Sequence, residues 1–367
     1  MAKARTFLTD QKDFEDVSRG DPKPHTLKGE ALVKARLTPE TWRLEVLAES
    51  GAKLARPRRL ADNTAIDFKE LTALGQAQGI KLLKAMQCNN IARPLGQGLW
   101  EGVPLRDVLG LAGQLDGARR VWYWGYHNDD PKQVFRSSLA LGQVLDSPPG
   151  EPPPFVAYKL NGGPISLTRG GPVRLIVPWA HGFKSIKWLQ RVVVTNDWKA
   201  NDTYAEQNND PESYLKTAAY LDSPDPETVP SGRSVTLRGT AMVGWPGLAR
   251  VEYWLRPEGG THGKLAADDP AWKGAAWKPC VIEPPPTDWG GVEVKGAFGF
   301  DEAGRPREWP PRYGFCLWRV TLEGLKAGGY EFRVRTVDRN GLAQPQPRPY
   351  PKSGRNAIAC KQFVVGA

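Results

Sequence analysis

The residues best equipped for chemistry in this chain are one cysteine and a group of cations. Cys88 sits in Gln87-Cys88-Asn89-Asn90-Ile91-Ala92-Arg93, and a thiolate is a soft, polarizable anion suited to a second- or third-row transition metal. A lone cysteine is also a common small buried hydrophobe, so its reading depends on what else the chain supplies. A second segment runs Asn161-Gly162-Gly163-Pro164-Ile165, then Arg169-Gly170-Gly171-Pro172-Val173-Arg174, then Gly182-Phe183-Lys184-Ser185-Ile186-Lys187-Trp188. Arg174 and Lys187 offer fixed cationic donors, and the glycines let backbone amides approach an anion closely. The bland alternative is a buried strand with its charges on a solvated face.

These residues need elements to hold them. Trp42 to Leu47, Arg120 to Trp124 and Val173 to Val177 alternate apolar and polar residues as half-buried strands do. A helix is expected from Pro104, with Leu105, Val108, Leu109 and Leu111 on one face, and a second over Ser137 to Leu145. Asn161-Gly162-Gly163 is a turn signal after the apolar run Phe155 to Tyr158. A polar, proline-rich stretch, Asp222 to Gly232, divides the chain into parts 1–222 and 223–367. Beyond it, Val235 to Gly239, Ala249 to Trp254 and Tyr330 to Arg335 alternate with period two, as in an antiparallel sandwich of immunoglobulin type. The Gly-, Pro- and Trp-rich stretch from about Pro257 to Pro311 is too long for a sandwich loop and reads as an interaction surface or an irregular insertion.

The Cys88 segment, with Gly98-Leu99-Trp100-Glu101-Gly102-Val103-Pro104-Leu105-Arg106-Asp107-Val108-Leu109 behind it, resembles the metal-binding segment of the sulfite oxidase family. The Asn-Gly turn, the Gly-x-Pro-x-Arg strand and the Ile186-Lys187-Trp188 close resemble that family again, and the likeness covers roughly residues 30 to 255. It implies an α+β molybdopterin-binding domain followed by an immunoglobulin-like domain that makes a homodimer. It also implies a Mo-molybdopterin cofactor with Cys88 as the metal ligand. By resemblance His127, Arg169, Arg174, Lys184, Ser185, Ile186 and Lys187 line the cofactor site, Arg93 and Arg36 face the substrate, and Tyr204 stands over the metal. Arg169 replaces the usual His or Asn, Ile91 replaces an Asn, and Lys34 to Pro39 lacks the family's Arg-Asn-His. The implied activity is oxygen-atom transfer to sulfite or a similar small anionic substrate, with electrons passed to an external acceptor such as a c-type cytochrome. Sulfoxide reduction is the alternative on the same fold, and Pro178 to Lys184 looks more like those reductases. A non-catalytic binding protein, with Trp272, Trp277, Trp289 and Trp309 as its platform, is the alternative of a different class.

Composition narrows the field. The 367 residues exceed what one hydrophobic core usually supports, and the net charge of +10 suits an anionic ligand or an acidic partner. Nucleic acid is not expected, because the basic residues are dispersed among acidic ones with no recognised motif. No run approaches a membrane span. The cysteines at 88, 280, 316 and 360 and the histidines at 25, 127, 181 and 262 are too scattered for a zinc signature or a c-type haem. Met1 to Phe7 has no apolar core behind its charges, so the expectation is a periplasmic protein whose leader was removed, or a cytoplasmic one.

Overall fold

The computed structural model describes residues 7–88, 91, 93–128, 130–200, 210–222, 228–258, 265, 269, 271, 274–344 and 357–366. Strands dominate, and the four α-helices among the described residues are short. The first half holds two five-stranded sheets. One runs in the order Ile66–Asp67, Arg43–Glu49, Leu189–Thr195, Arg120–Gly125, Arg136–Ala140, with Arg43–Glu49 parallel to Leu189–Thr195. The other runs Gly163–Pro164, Phe155–Leu160, Gly96–Pro104, Ile80–Met86, with Arg174–Ile176 also paired to Phe155–Leu160.

Trp42, Leu44, Val46, Val192 and Val194 of the first sheet share a core with Val103, Val156 and Leu175 of the second. Burying a Trp also requires a partner for its ring N–H. Trp42 Nε1 accordingly donates to Leu189 O at 2.7 Å. Helix Phe68–Gln78 starts where the Asp67 carboxylate accepts the Glu70 amide at 2.8 Å, a cap that contributes about 1 kcal/mol. Helix Leu105–Gly110 buries Leu105, Val108 and Leu109, as its spacing requires.

The expected helix over 137–145 is instead strand Arg136–Ala140 followed by the short helix Leu141–Leu145. Ser137, Ser138 and Leu139 are all buried there, because the stretch completes the sheet beside Arg120–Gly125. Sheet pairing overrides a helical period read from four apolar residues.

In the second half, a four-stranded sheet (Ala218–Leu221, Val235–Met242, Phe315–Leu322, Val281–Ile282) faces a five-stranded one (Thr228–Val229, Ala359–Val365, Gly328–Asp338, Leu248–Glu258, Lys278–Pro279). Leu237, Trp318, Phe332, Val334 and Phe363 form the layer between them. The tryptophan-rich stretch leaves this sandwich and lies on the first half. Trp289, Val294, Ala297 and Phe300 are buried against Leu83 and Leu99, on the strands that lead to and from Cys88. Phe298 N donates to Lys81 O at 2.7 Å, and Ala85 N donates to Tyr313 O at 2.8 Å. Trp289 is therefore core, and the Trp309 ring nitrogen is bonded to Glu283 O at 2.8 Å. Trp277 lies under the Arg335 guanidinium at 4.0 Å, and Trp272 falls outside the described residues. Trp277, Trp289 and Trp309 thus do not form one exposed platform.

Candidate functional site

Strand Ile80–Met86 ends one residue before Gln87, whose fully buried side chain folds the loop that carries Cys88. Gln87 Nε2 donates to Cys88 O at 2.9 Å and to Ile91 O at 2.6 Å. Its carbonyl accepts the Gly182 amide at 2.7 Å, which ties the cysteine loop to the cation-bearing segment. Lys84, entirely buried, holds the same segment by donating to Pro178 O at 2.7 Å and Ala180 O at 3.1 Å. Burial, with Arg174 nearby, pushes that ammonium well below the usual lysine range.

A cavity of about 320 Å³ opens between these elements. It is lined by Cys88, His127, Arg169, Arg174, Ser185, Ile186 and Lys187, so seven residues singled out from the sequence do converge. Arg174 bridges two segments, with Nη1 on Arg169 O at 2.7 Å and Nη2 on Ser185 O at 2.6 Å, and it lies 5.0 Å from the Trp100 ring. Burial, reinforced by Arg169, draws Arg174 down to about 9. Arg169 Nη1 donates to Glu15 O at 3.1 Å. Burial also drives Lys187 down to about 7, with Arg174 adding to the shift and Asp16 opposing it. Gly170 has φ +97°, and a Cβ there would sit 2.5 Å from Lys187 Cγ, so this position requires glycine. His127 Nδ1 lies 3.3 Å from Gly125 O.

Three expected positions fall elsewhere. Lys184 is buried but turned away from the cavity, donating to Ser138 O at 2.9 Å, because the 3-10 turn Gly182–Lys184 points successive side chains in different directions. Arg93 is 65% exposed and pairs with Glu15 at 3.1 Å, beside a separate hollow bordered by Asp10, Asp13 and Asp288. Arg36 sits in a left-handed turn (φ 53°) and donates to Gln190 Oε1 at 3.2 Å, outside the cavity lining. Tyr204 lies outside the described residues. Tyr214, the other phenol considered, packs on Trp245 at 5.1 Å.

The sequence reading missed the cavity's remaining wall, the N-terminal strap Phe14 to Pro24. Arg19, on that strap, stacks over Phe135 at 5.0 Å. Only Gly20 and the run Asp21-Pro22-Lys23-Pro24 marked the strap as irregular chain.

Residues 31–203 match the family model "Oxidoreductase molybdopterin binding domain". The chain is 27% identical to mitochondrial sulfite oxidase of Drosophila melanogaster over 84% of its own length and 52% of that protein. It is 27% identical to sulfite oxidase of Gallus gallus over 67% of its length and 50% of that protein. Over residues 31–203 the chain carries a molybdopterin-binding oxidoreductase domain, and it is similar to the sulfite oxidase family. It spans about half the length of these relatives. The solved structure of the sulfane dehydrogenase SoxCD from Paracoccus pantotrophus shares its fold, with a TM-score of 0.60 and 16% identity over 93% of this chain and 83% of that one.

The sulfite oxidase family's cofactor is Mo-molybdopterin, and the residues of the cavity fit it. Among the described residues no group of three or more His, Cys, Asp or Glu could hold a metal ion, so a metal here takes most of its donors from a ligand. A dithiolene supplies sulfur donors that a single protein thiolate complements. For the anionic end, Arg169 and Arg174 each keep a buried Nε with no hydrogen-bond partner among the described residues, in a cavity they both line. Cys88 would ligate the metal, and Arg169, Arg174 and Lys187 would meet the phosphate.

Proposed function

We propose that the chain is the molybdenum-bearing part of an oxidoreductase that moves an oxygen atom to or from a small sulfur-containing anion. Sulfite is the first candidate substrate, and a c-type cytochrome or similar carrier is the electron partner. One observation carries this reading: a single cavity gathers the Cys88 thiol, the buried cations Arg169 and Arg174, and the half-buried Lys187. When bound, the cofactor supplies a two-electron redox centre and an exchangeable oxygen atom. The chain's residues do the rest. Cys88 offers a thiolate, Arg169 and Arg174 offer fixed donors, and Phe14, Phe135 and Phe183 keep water from the walls. Relatives named for sulfite and sulfane support a sulfur compound as substrate.

Sulfoxide reduction is the second reading. It is favoured by the placement of Arg93 and Arg36 outside the cavity, which leaves Arg19 as the arginine at its exposed wall. The same proposal divides the chain at residue 222, gives 223–367 an immunoglobulin-like fold and a two-fold dimer contact, and assigns the periplasm if a leader is removed, the cytoplasm otherwise. The deciding experiment loads the chain in a cofactor-competent host and screens sulfite and sulfoxides with an artificial electron carrier. About one molybdenum per chain and turnover of sulfite are expected, and absence of molybdenum would overturn the reading. Turnover of sulfoxides alone would favour the reductase.

A further inference from the structure

All three ammonium hydrogens of Lys187 are used by the chain itself. Nζ donates to Asp16 Oδ1 at 3.2 Å, to Ser18 Oγ at 2.6 Å and to Thr168 O at 2.7 Å, and a lysine has three donors and no more. Two of those acceptors belong to the N-terminal strap. Asp16 faces two cations, Arg169 Nη2 and Lys23 Nζ, each 3.8 Å from one of its oxygens, and His25 Nε2 lies at the same distance, an imidazole that burial holds below the usual histidine range. Burial works against its charge, yet the Ser18 hydroxyl and Lys187 outweigh it and hold the carboxyl at about 2. A carboxylate with a hydroxyl beside it presents to these cations negative charge and three acceptor oxygens, a weaker version of what a phosphate monoester would offer.

We propose that Asp16 is a built-in substitute for the cofactor's phosphate: carboxylate and phosphate take Lys187 in turn, and the strap yields when the cofactor enters. The inference rests on the reading that this cavity receives the pterin's phosphate. Counting donors requires the exchange, because Lys187 can accept a new partner only by releasing an old one. Arg169 and Arg174 differ, since each has an Nε without a partner among the described residues, which can receive the anion without giving up a bond. The strap is pinned on both sides of the exchange point. Glu15 N donates to Leu95 O at 2.9 Å with Phe14 packed beneath, and further along Asn128 Nδ2 donates to Pro22 O at 2.7 Å. Only Asp16 to about Gly20 has to move.

The test uses the full chain made in cells unable to produce the cofactor, with inorganic sulfate as the probe because it keeps two charges throughout. At about pH 6, where Lys187 is charged, Asp16→Asn is expected to bind sulfate about 10-fold more tightly than the parent, as removing one competing charge-assisted contact implies. Ser18→Ala, which keeps the carboxylate, should give a smaller gain. In the parent protein sulfate should speed tryptic cleavage after Arg19. Equal or weaker sulfate binding by Asp16→Asn, slower cleavage of the strap, or no sulfate binding by either protein would each overturn the proposal. None of these measurements involves molybdenum, so failure of the chain to load the metal would sink the proposed function and leave this result standing.

Discussion

Replacing Gln87 with Leu isolates the loop that presents the cysteine. The change keeps the side chain's bulk and deletes two hydrogen bonds, at 2.9 Å to Cys88 O and 2.6 Å to Ile91 O. Each contributes about 1 kcal/mol net, and leaving partly buried carbonyls unpaired adds to the loss. Against this, Gln87 Oε1 is itself buried without a partner among the described residues, and its removal returns about 1 kcal/mol. The balance is a destabilisation of about 1–2 kcal/mol concentrated in residues 87–91. If that loop opens locally, the population exposing Cys88 should rise about 5- to 30-fold. The assay is the alkylation rate of Cys88 in the cofactor-free chain, resolved from Cys280 and Cys360 by peptide mass. A rate within about twofold of the parent would refute the idea that Gln87 holds the loop.

Other outcomes follow from the same geometry. Cys88→Ser should abolish turnover while leaving the urea unfolding midpoint nearly unchanged, because a hydroxyl is a much harder and less acidic ligand than a half-buried thiol. Sulfate affinity for the cavity should fall as pH rises through about 7, since Lys187 loses its charge there. Stability should move the other way. Lys187 titrates at about 7 when folded but near 10.5 when exposed, so the unfolded chain binds more protons between those values and stability rises with pH across that window. Urea titrations at several pH values check this sign. Trp289→Ala should cost about 3–5 kcal/mol although Trp289 is not part of the cavity lining, which chemical denaturation would measure.

Chemistry carried by short runs was legible in the sequence. Cys88, Arg169, Arg174, Ser185, Ile186 and Lys187 lie in two runs, and the strands between them announce themselves by alternation, so their convergence on one cavity follows from local signals. What was not legible depends on distant partners. The strap has no period, and its meaning lies in contacts such as Glu15 O with Arg169 and Asp16 with Lys187, more than 150 residues away in sequence. Lys184 and Ser185 are adjacent, yet the geometry of one 3-10 turn decides which of them reaches the cavity. Arg93 sits five residues from Cys88, but Glu15 draws it to the outer face. Segment 137–145 misled because Leu139, Leu141, Val144 and Leu145 fit a helix, while the buried Ser137 and Ser138 belong to a strand edge that only the neighbouring strand defines.

The stretch from Trp289 to Phe300 makes the order of synthesis matter. Leu83 and Leu99, on the hairpin that carries Cys88, leave the ribosome long before the residues that cover them. Until residues 289–300 have emerged, one face of that hairpin stays wet. The nascent first half then has every cofactor-contacting motif and no finished wall behind the cysteine. A fragment ending at residue 222 would therefore leave the Leu83 and Leu99 face of that hairpin, an apolar sheet surface, without its cover.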